Sequence, residues 1–394
     1  MDNKSGYIYI TNGIIITPFK ILKDQAILIR NGKIISIENK CSNTLENVTI
    51  IDARGNYIVP GFIDLHVHGG GGADTMDGSY SAIKKIADTH CCYGTTSFLA
   101  TTMTMGQDEI LNSLKTVKEA NKKGTASAHV LGIHLEGPYI SEVMKGAQNK
   151  AYIKKPAIEE LQEFNKASGS LIKIVTLAPE IPGALDLIRW LKKNDIIASV
   201  GHTNATYEQV KSGIDAGLQH VTHTFNAMTG LHHRKPGAVG AALVSPELII
   251  ELIADGIHIH PAVMEILFKS KGTEKIILIT DAIRATGLPP GRYELGGQAV
   301  IASKNKARLE DGTLAGSVLT MDRAIRNMVR KVKVPLVEAI QMATFNPAKC
   351  LGIEGKKGSI SQGKDADIVI LNKKMETELT IVMGKVIFNK KEVC

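Results

Sequence analysis

From Phe62 onward the chain repeats one unit eight times: a short apolar, β-rich run, in most cases followed by a stretch with helical periodicity. The runs are FIDLHVH, TTSFLAT, HVLGIHLEG, LIKIVTLAPE, IIASVGHT, HVTHTFNA, LIIELIADG and KIILITDA. Between them, SAIKKIADTHCCYG, DEILNSLKTVKEANKKG, IEELQEFNKASG, ALDLIRWLKKND and YEQVKSGIDAG carry apolar residues three or four apart, and most end near Gly or Asn. Asp322 to Lys333 is a further helical segment after the last run. Near-continuous apolar strands alternating with helices require a parallel sheet covered on both faces. Eight units predict an α/β fold, a closed (β/α)8 barrel, with an open doubly wound sheet as the structural rival.

The two ends read differently. YIYITNGIIITPF and AILIRNGKIISIE look like strand, turn, strand, with both NG dipeptides as hairpin signals, and the tail GSISQGKDADIVILNKK…TIVMGKVIFNK has the same character. We expect a small β-domain built from both termini, with the barrel inserted: residues 1–58 and 354–394 around a barrel of 59–353. The 394 residues suffice for this arrangement.

The net charge of +8 is dispersed, and its basic clusters (Lys122-Lys123, Lys192-Lys193, Lys373-Lys374, Lys390-Lys391) are pairs without interleaved aromatics. That argues against nucleic acid as a partner, although a mild positive field helps to collect an anionic substrate. No apolar run reaches the roughly 18–20 residues that span a bilayer, and the start resembles no secretory signal, so no membrane partner is expected. The five cysteines (Cys41, Cys91, Cys92, Cys350, Cys394) contain no CxxC pair. Reduced thiols and a cytoplasmic location are the expectation.

Chemistry enters at the strand ends. In GFIDLHVHGGGGAD, His66 and His68 are two apart on a strand and share one face with Asp64, and the glycines allow a sharp turn just beyond. An HxH pair alone also occurs as buried, hydrogen-bonded histidines. Here the third run ends at Glu136 before Gly-Pro, the fifth supplies His202, the sixth His223 and the eighth Asp281. In a barrel these positions all fall on one rim, where catalytic groups gather. Neutral imidazoles and carboxylates converging there point to a divalent cation. Asp281, after an apolar run, would be a costly buried charge without such a partner. His90, His129, His220 and His232 read as structural or exposed, His134 as filling a barrel layer, and His260 has no assignment.

At this point PGFIDLHVHG, HLEGPYI, KGAQN, GHTNATY, THTFNAM, HRKPG, ADGIH, TDA and TLAGS together carry a resemblance that runs nearly end to end. The chain resembles the N-acetylglucosamine-6-phosphate deacetylases of the amidohydrolase superfamily. The resemblance implies a barrel with a small β-sandwich, a homodimer, and hydrolysis of the N-acetyl group of the amino-sugar phosphate. It implies that Glu136, His202 and His223 hold a metal and that Asp281 is the acid/base. Because His66 and His68 are both kept, one or two ions fit, drawn from Zn, Fe, Mn or Co. It places Ala147, Gln148, Asn226, Ala227, His258, Leu314, Ala315 and Gly316 around the substrate, and has Arg234 reach the neighbouring active site. A histidine can stand in place of Gln148 in the family, so which group polarises the acetyl oxygen stays open. The rival readings are the galactosamine epimer, another amide such as a cyclic imide or dipeptide, and an inactive barrel scaffold.

Overall fold

The computed structural model describes residues 6–39 and 48–392; Cys41 and Cys394 lie outside them. Its central sheet has eight parallel strands paired in chain order: β1 (Phe62–Val67), β2 (Thr95–Thr101), β3 (His129–Glu136), β4 (Ile172–Leu177), β5 (Ile197–Val200), β6 (His220–Val221), β7 (Ile249–Ile253) and β8 (Ile276–Ile279). The sheet closes at its exits. Asp281 N–H donates to His66 O at 2.9 Å and His68 N–H to Ala282 O at 2.9 Å. Below them Thr280 Oγ1 donates to the buried Asp64 carboxylate at 2.6 Å. The barrel, not the open sheet, is the fold, and its seam runs through the residues singled out for chemistry.

The helices pack outside as the periodicity predicts: α1 (Tyr80–Cys91), α2 (Gln107–Lys123), α3 (Ile158–Ser168), α4 (Ala184–Lys193) and α5 (Tyr207–Ala216). α4 buries Leu187, Ile188 and Leu191, while its Arg189 and Asp186 pair on the surface. Thr206 starts α5 with a capping box to Gln209. Two further helices, α6 (Gly237–Val244) and α7 (Pro261–Lys271), carry no readable stripe. α6 is buried along nearly its whole length, so it has no polar face to mark its period. α7 is announced only by its cap, His260 Nδ1 accepting from Ala262 N–H, with Pro261 at the first position. The segment expected from Asp322 to Lys333 is α8 (Met321–Asn327) widening into a π turn over Met328–Val332.

Two β-sheets from the chain ends pack on each other around an isoleucine core that includes Ile10, Ile15, Ile27, Ile58, Ile368 and Ile381. The strand Tyr57–Pro60 joins this unit to the barrel: Ile58 fills the isoleucine core and Val59 faces the barrel core. Asn31-Gly32 is the hairpin expected, with Arg30 opposite Lys33. Asn12-Gly13 is not a hairpin. The strands Tyr7–Thr11 and Ile14–Ile16 belong to different sheets, and the chain crosses between them against Ile58, where a Cβ on Gly13 would come within 2.5 Å of the Ile58 side chain.

Between β8 and α8 the chain builds a third sheet of three antiparallel strands, Gly291–Leu295, Gln298–Ala302 and Ala307–Leu309. Its own small core includes Leu295, Val300, Ala307 and Ala315, packed on Met103 and Ile283. This cap lies against the barrel mouth, held by Gln298 Nε2 donating to Ala147 O at 2.6 Å. Among the described residues no helix is long and apolar enough to cross a membrane.

Candidate active site

All six residues picked from the strand ends meet at the barrel mouth. His66 lies on β1 with His68 just beyond it, and Glu136 is the last residue of β3. His202, His223 and Asp281 follow β5, β6 and β8, and each adopts a left-handed backbone with φ of 46°, 28° and 51°. That conformation costs a non-glycine residue about 1–2 kcal/mol, and here it turns the chain off the strand while the side chain stays over the mouth. The sixth run is shorter than its sequence suggests: only His220–Val221 is strand, and His223 sits in the turn after it.

Two triads form. Glu136 Oε1 lies 3.0 Å from His223 Nε2 and 3.3 Å from His202 Nε2, and the two nitrogens are 3.2 Å apart. His66 Nε2 lies 3.2 Å from His68 Nε2, and Asp281 Oδ1 is 3.5 and 3.3 Å from them. Glu136 joins the triads, with Oε2 at 3.3 Å from His68 Nε2 and Oε1 at 3.5 Å from His66 Nε2. A tetrahedral ion with ligands at about 2.0–2.1 Å has ligand–ligand edges of about 3.3–3.4 Å, so these separations suit a cation between them.

The protonation pattern agrees. His202 Nδ1–H donates to Met144 O at 3.0 Å, and His66 Nδ1–H donates to Glu251 Oε2 at 3.1 Å. In the neutral rings both Nε2 lone pairs therefore face carboxylate oxygens, a repulsive contact unless positive charge lies between. Burial opposes charge on His66, but Glu136, Asp281 and Glu251 outweigh it and push the ring up to about 9. His68, likewise buried, is pushed up to about 10 by Asp281 and Glu136. The surrounding histidines overcome burial at Glu136 and hold its carboxyl well below the usual range. The same field that retains protons on these rings favours a divalent cation in their place.

Glu251 was not anticipated from sequence. It sits in the apolar β7 run LIIELI, fully buried, and accepts from His66 Nδ1 and from the His223 backbone N–H, each at 3.1 Å. Burial would raise its pKa, yet the facing His66 ring brings it down to about 2. A lone acid inside an apolar strand was the available signal. Asp64 shares the HxH face but binds Thr280 instead of joining the cluster, and burial pushes it up to about 7. His134 fills the layer beneath, between Leu65 O at 3.0 Å and Thr176 Oγ1 at 2.7 Å. Burial, reinforced by His66, lowers it to about 3, so it is a neutral spacer.

A cavity of about 420 Å³ opens over the triads. Of the substrate residues expected, Ala147, Gln148, Asn226, Ala227, His258, Leu314 and Gly316 line it. Gln148 is held rigidly: Thr104 N–H donates to Oε1 at 2.8 Å, and Nε2 donates to Glu136 Oε2 at 2.6 Å. His258 Nδ1 pairs with Asp255 Oδ2 at 2.7 Å. The Asn226 N–H is spent on His223 O, which leaves the neighbouring Ala227 N–H as the candidate anion donor of that loop.

Two expected residues are elsewhere. Ala315 is buried in the cap core and its N–H is spent on Ala307 O. Arg234 is exposed on the turn His232–Lys235, with its Nη1 donating to His233 Nε2 at 2.7 Å, and does not line its own chain's cavity. The cap contributes a residue no motif marked, Arg308. Cys91 is buried beneath the small β-unit and Cys92 lines a separate cavity, so neither reaches the site.

The sequence matches the family model of the amidohydrolase family over residues 57–387. It is 42% identical over 381 residues to the N-acetylglucosamine-6-phosphate deacetylase of Bacillus subtilis, covering 96% of each chain. It is 39% identical over 364 residues to the N-acetylgalactosamine-6-phosphate deacetylase of Escherichia coli O157:H7, covering 92% of this chain and 95% of that one. The structure also resembles the crystal structure of N-acetylglucosamine-6-phosphate deacetylase from Pasteurella multocida, with a TM-score of 0.91, 32% identity, and coverage of 96% of this chain and 99% of that one.

Proposed function

This chain belongs to the amidohydrolase family, and from that premise we infer that it is an enzyme that hydrolyses the N-acetyl group of N-acetylglucosamine 6-phosphate, releasing glucosamine 6-phosphate and acetate. The observation that carries the reading is the Glu136, His202, His223 triad with Asp281 beside it at the mouth of one cavity. The inactive-scaffold reading has no support in a site whose polar groups are all in place.

The donor set fits a divalent cation. Glu136, His202 and His223 would hold one ion, and His66, His68 and Asp281 would offer a second place beside it. Nitrogen and oxygen donors of this kind take Zn, Fe, Mn or Co. When bound, the ion lowers the pKa of water and polarises the acetyl carbonyl.

The protein's own part follows from position. Asp281 accepts one proton from the attacking water as the new C–O bond forms. It then delivers that proton to the amide nitrogen as the C–N bond breaks, so the amine leaves neutral with acetic acid, which gives its remaining proton to solvent and departs as acetate. Gln148, fixed by Thr104 and Glu136, has a second N–H to offer the acetyl oxygen, and one well-placed donor is worth about 3 kcal/mol. Ala227 and His258 bind the rest of the sugar phosphate.

Arg234 is exposed and does not line its own chain's cavity, which suits an arm reaching the active site of a second copy. We therefore assign a homodimer with Arg234 on the neighbour's phosphate, residues 59–353 to the barrel, 1–58 and 354–394 to the small β-unit, and the cytoplasm as the location. The galactosamine epimer is the second reading, supported by the 39% identity to the E. coli O157:H7 enzyme. Acetate release from both epimeric 6-phosphates, with and without chelator, tests the assignment. Chelator-sensitive release from the glucosamine derivative at the higher kcat/KM supports it, faster release from the galactosamine derivative moves it to the epimer, and release from neither rejects it.

A further inference from the structure

Among the described residues Arg308 is the one that lines the cavity with a fixed positive charge; the other ionisable groups there are histidines and carboxylates. It stands on the last cap strand between Ala307 and Leu309, both buried in the cap core, so strand alternation puts its side chain on the opposite face. Leu314 bridges back to Arg308, and Arg308 Nη1 donates to Gly312 O. The guanidinium is thereby fixed beside the Gly312–Leu314 backbone that lines the cavity, with most of its N–H donors unspent. Among the described residues it has no carboxylate partner, unlike Arg284 and Arg292 of the same region, which pair with Asp77 and Glu294 and with Glu310.

Glu136, Asp281 and the histidines on the cavity floor are matched to one another and to the ion they would hold, so a phosphate needs its own cation away from that centre. Among the described residues that line the cavity only Arg308 supplies it; Lys145 Nζ, which donates to Gly146 O at 3.2 Å, stands beside the lining, and Arg234 is outside it. We propose that Arg308 is a specificity-determining residue that grips the substrate's phosphate from within the same chain, in addition to what a neighbouring subunit contributes. This rests on the sugar-phosphate reading above. A planar fork held by its own backbone suits phosphate oxygens without the ordering cost of a free side chain.

The test compares metal-loaded wild type, Arg308→Gln and Arg308→Lys on N-acetylglucosamine 6-phosphate and on N-acetylglucosamine, with metal content and melting temperature checked for each. Arg308→Gln should raise KM for the phosphorylated sugar about 10–100-fold, the loss expected for a bond to a charged group, and far less for the unphosphorylated one. Arg308→Lys should fall between, keeping the charge and losing the fork. Calorimetric titration with inorganic phosphate gives a readout independent of turnover: wild type should bind it and Arg308→Gln more weakly by a similar factor. Equal KM changes for the two sugars, no change in either, or phosphate binding that is absent or indifferent to the substitution would overturn the proposal. Failure of wild type to release acetate from either epimer would instead reject the substrate reading, with the phosphate titration still judging Arg308.

Discussion

Glu251 Oε2 accepts a hydrogen bond from His66 Nδ1–H at 3.1 Å and thereby fixes which nitrogen His66 presents to the cluster. The same oxygen accepts the backbone N–H of His223 at 3.1 Å, so one buried carboxylate orients a residue of each triad. Outer partners of this kind typically contribute about 10–100-fold to metal affinity. Glu251→Gln keeps the shape and loses the charge. We expect weaker metal binding by about that factor with the fold retained, measured by competition against a chromophoric chelator. Unchanged affinity would show that Glu251 has no hold on the cluster.

Asp281→Asn should keep the ion held by Glu136, His202 and His223 and lose about 10²–10⁴-fold in kcat, the contribution of a general acid–base. Metal stoichiometry and turnover measured on one preparation separate the two effects. Near-normal turnover would remove Asp281 from proton transfer.

If Arg234 acts across a dimer, two defective proteins should complement one another. Arg234→Ala keeps Asp281, and Asp281→Asn keeps Arg234. In a mixed dimer one site then has a complete set. Unfolding and refolding an equimolar mixture should restore about a quarter of wild-type activity at low substrate, from random pairing. Absence of recovery, with mixed dimers verified, would mean that Arg234 serves its own chain or no site.

In the small β-unit, Lys357 Nζ lies 2.5 Å from Asp367 and 3.0 Å from Asp365, all three side chains buried. Removing the cation strands Asp367 and leaves Asp365 only its pair with the more exposed Lys33, at 2.6 Å, so Lys357→Met should cost about 3–5 kcal/mol. The sign with pH follows from the shifts. Burial opposes charge on Lys357, but Asp367 and Asp365 raise its pKa, so that stabilisation holds below about pH 10 and is lost as pH rises through the raised value. Burial likewise opposes Asp365, but Lys33 and Lys357 lower it, so its share holds above about pH 4 and is lost as pH falls through the lowered value. The melting-temperature gap between wild type and variant should be wide at neutral pH and narrow in acid. A gap that stays constant from pH 7 to pH 3 would contradict the ion-pair account.

The barrel and the residues gathered at its mouth were legible because both leave periodic traces. Eight apolar runs recur with helical stretches between most of them, and His66, His68, Glu136, His202, His223 and Asp281 each fall towards a run's end. What stayed hidden has no local signature. α6 is buried nearly all round and shows no stripe. Asn12-Gly13 has hairpin chemistry, but tertiary packing on Ile58 sends its flanking strands to different sheets. Glu251 acts through residues 185 and 28 positions away, and Arg308 matters only because the cap folds over the mouth.

The central claim is that Glu136, His202 and His223 surround one cation. Crystals of the protein purified without chelator, measured on both sides of the bound metal's absorption edge, test it most directly. The account predicts an anomalous peak about 2.0–2.2 Å from Glu136 Oε1 and from the Nε2 atoms of His202 and His223. No peak there in protein active without chelator, or a peak bound only by other residues, would contradict it.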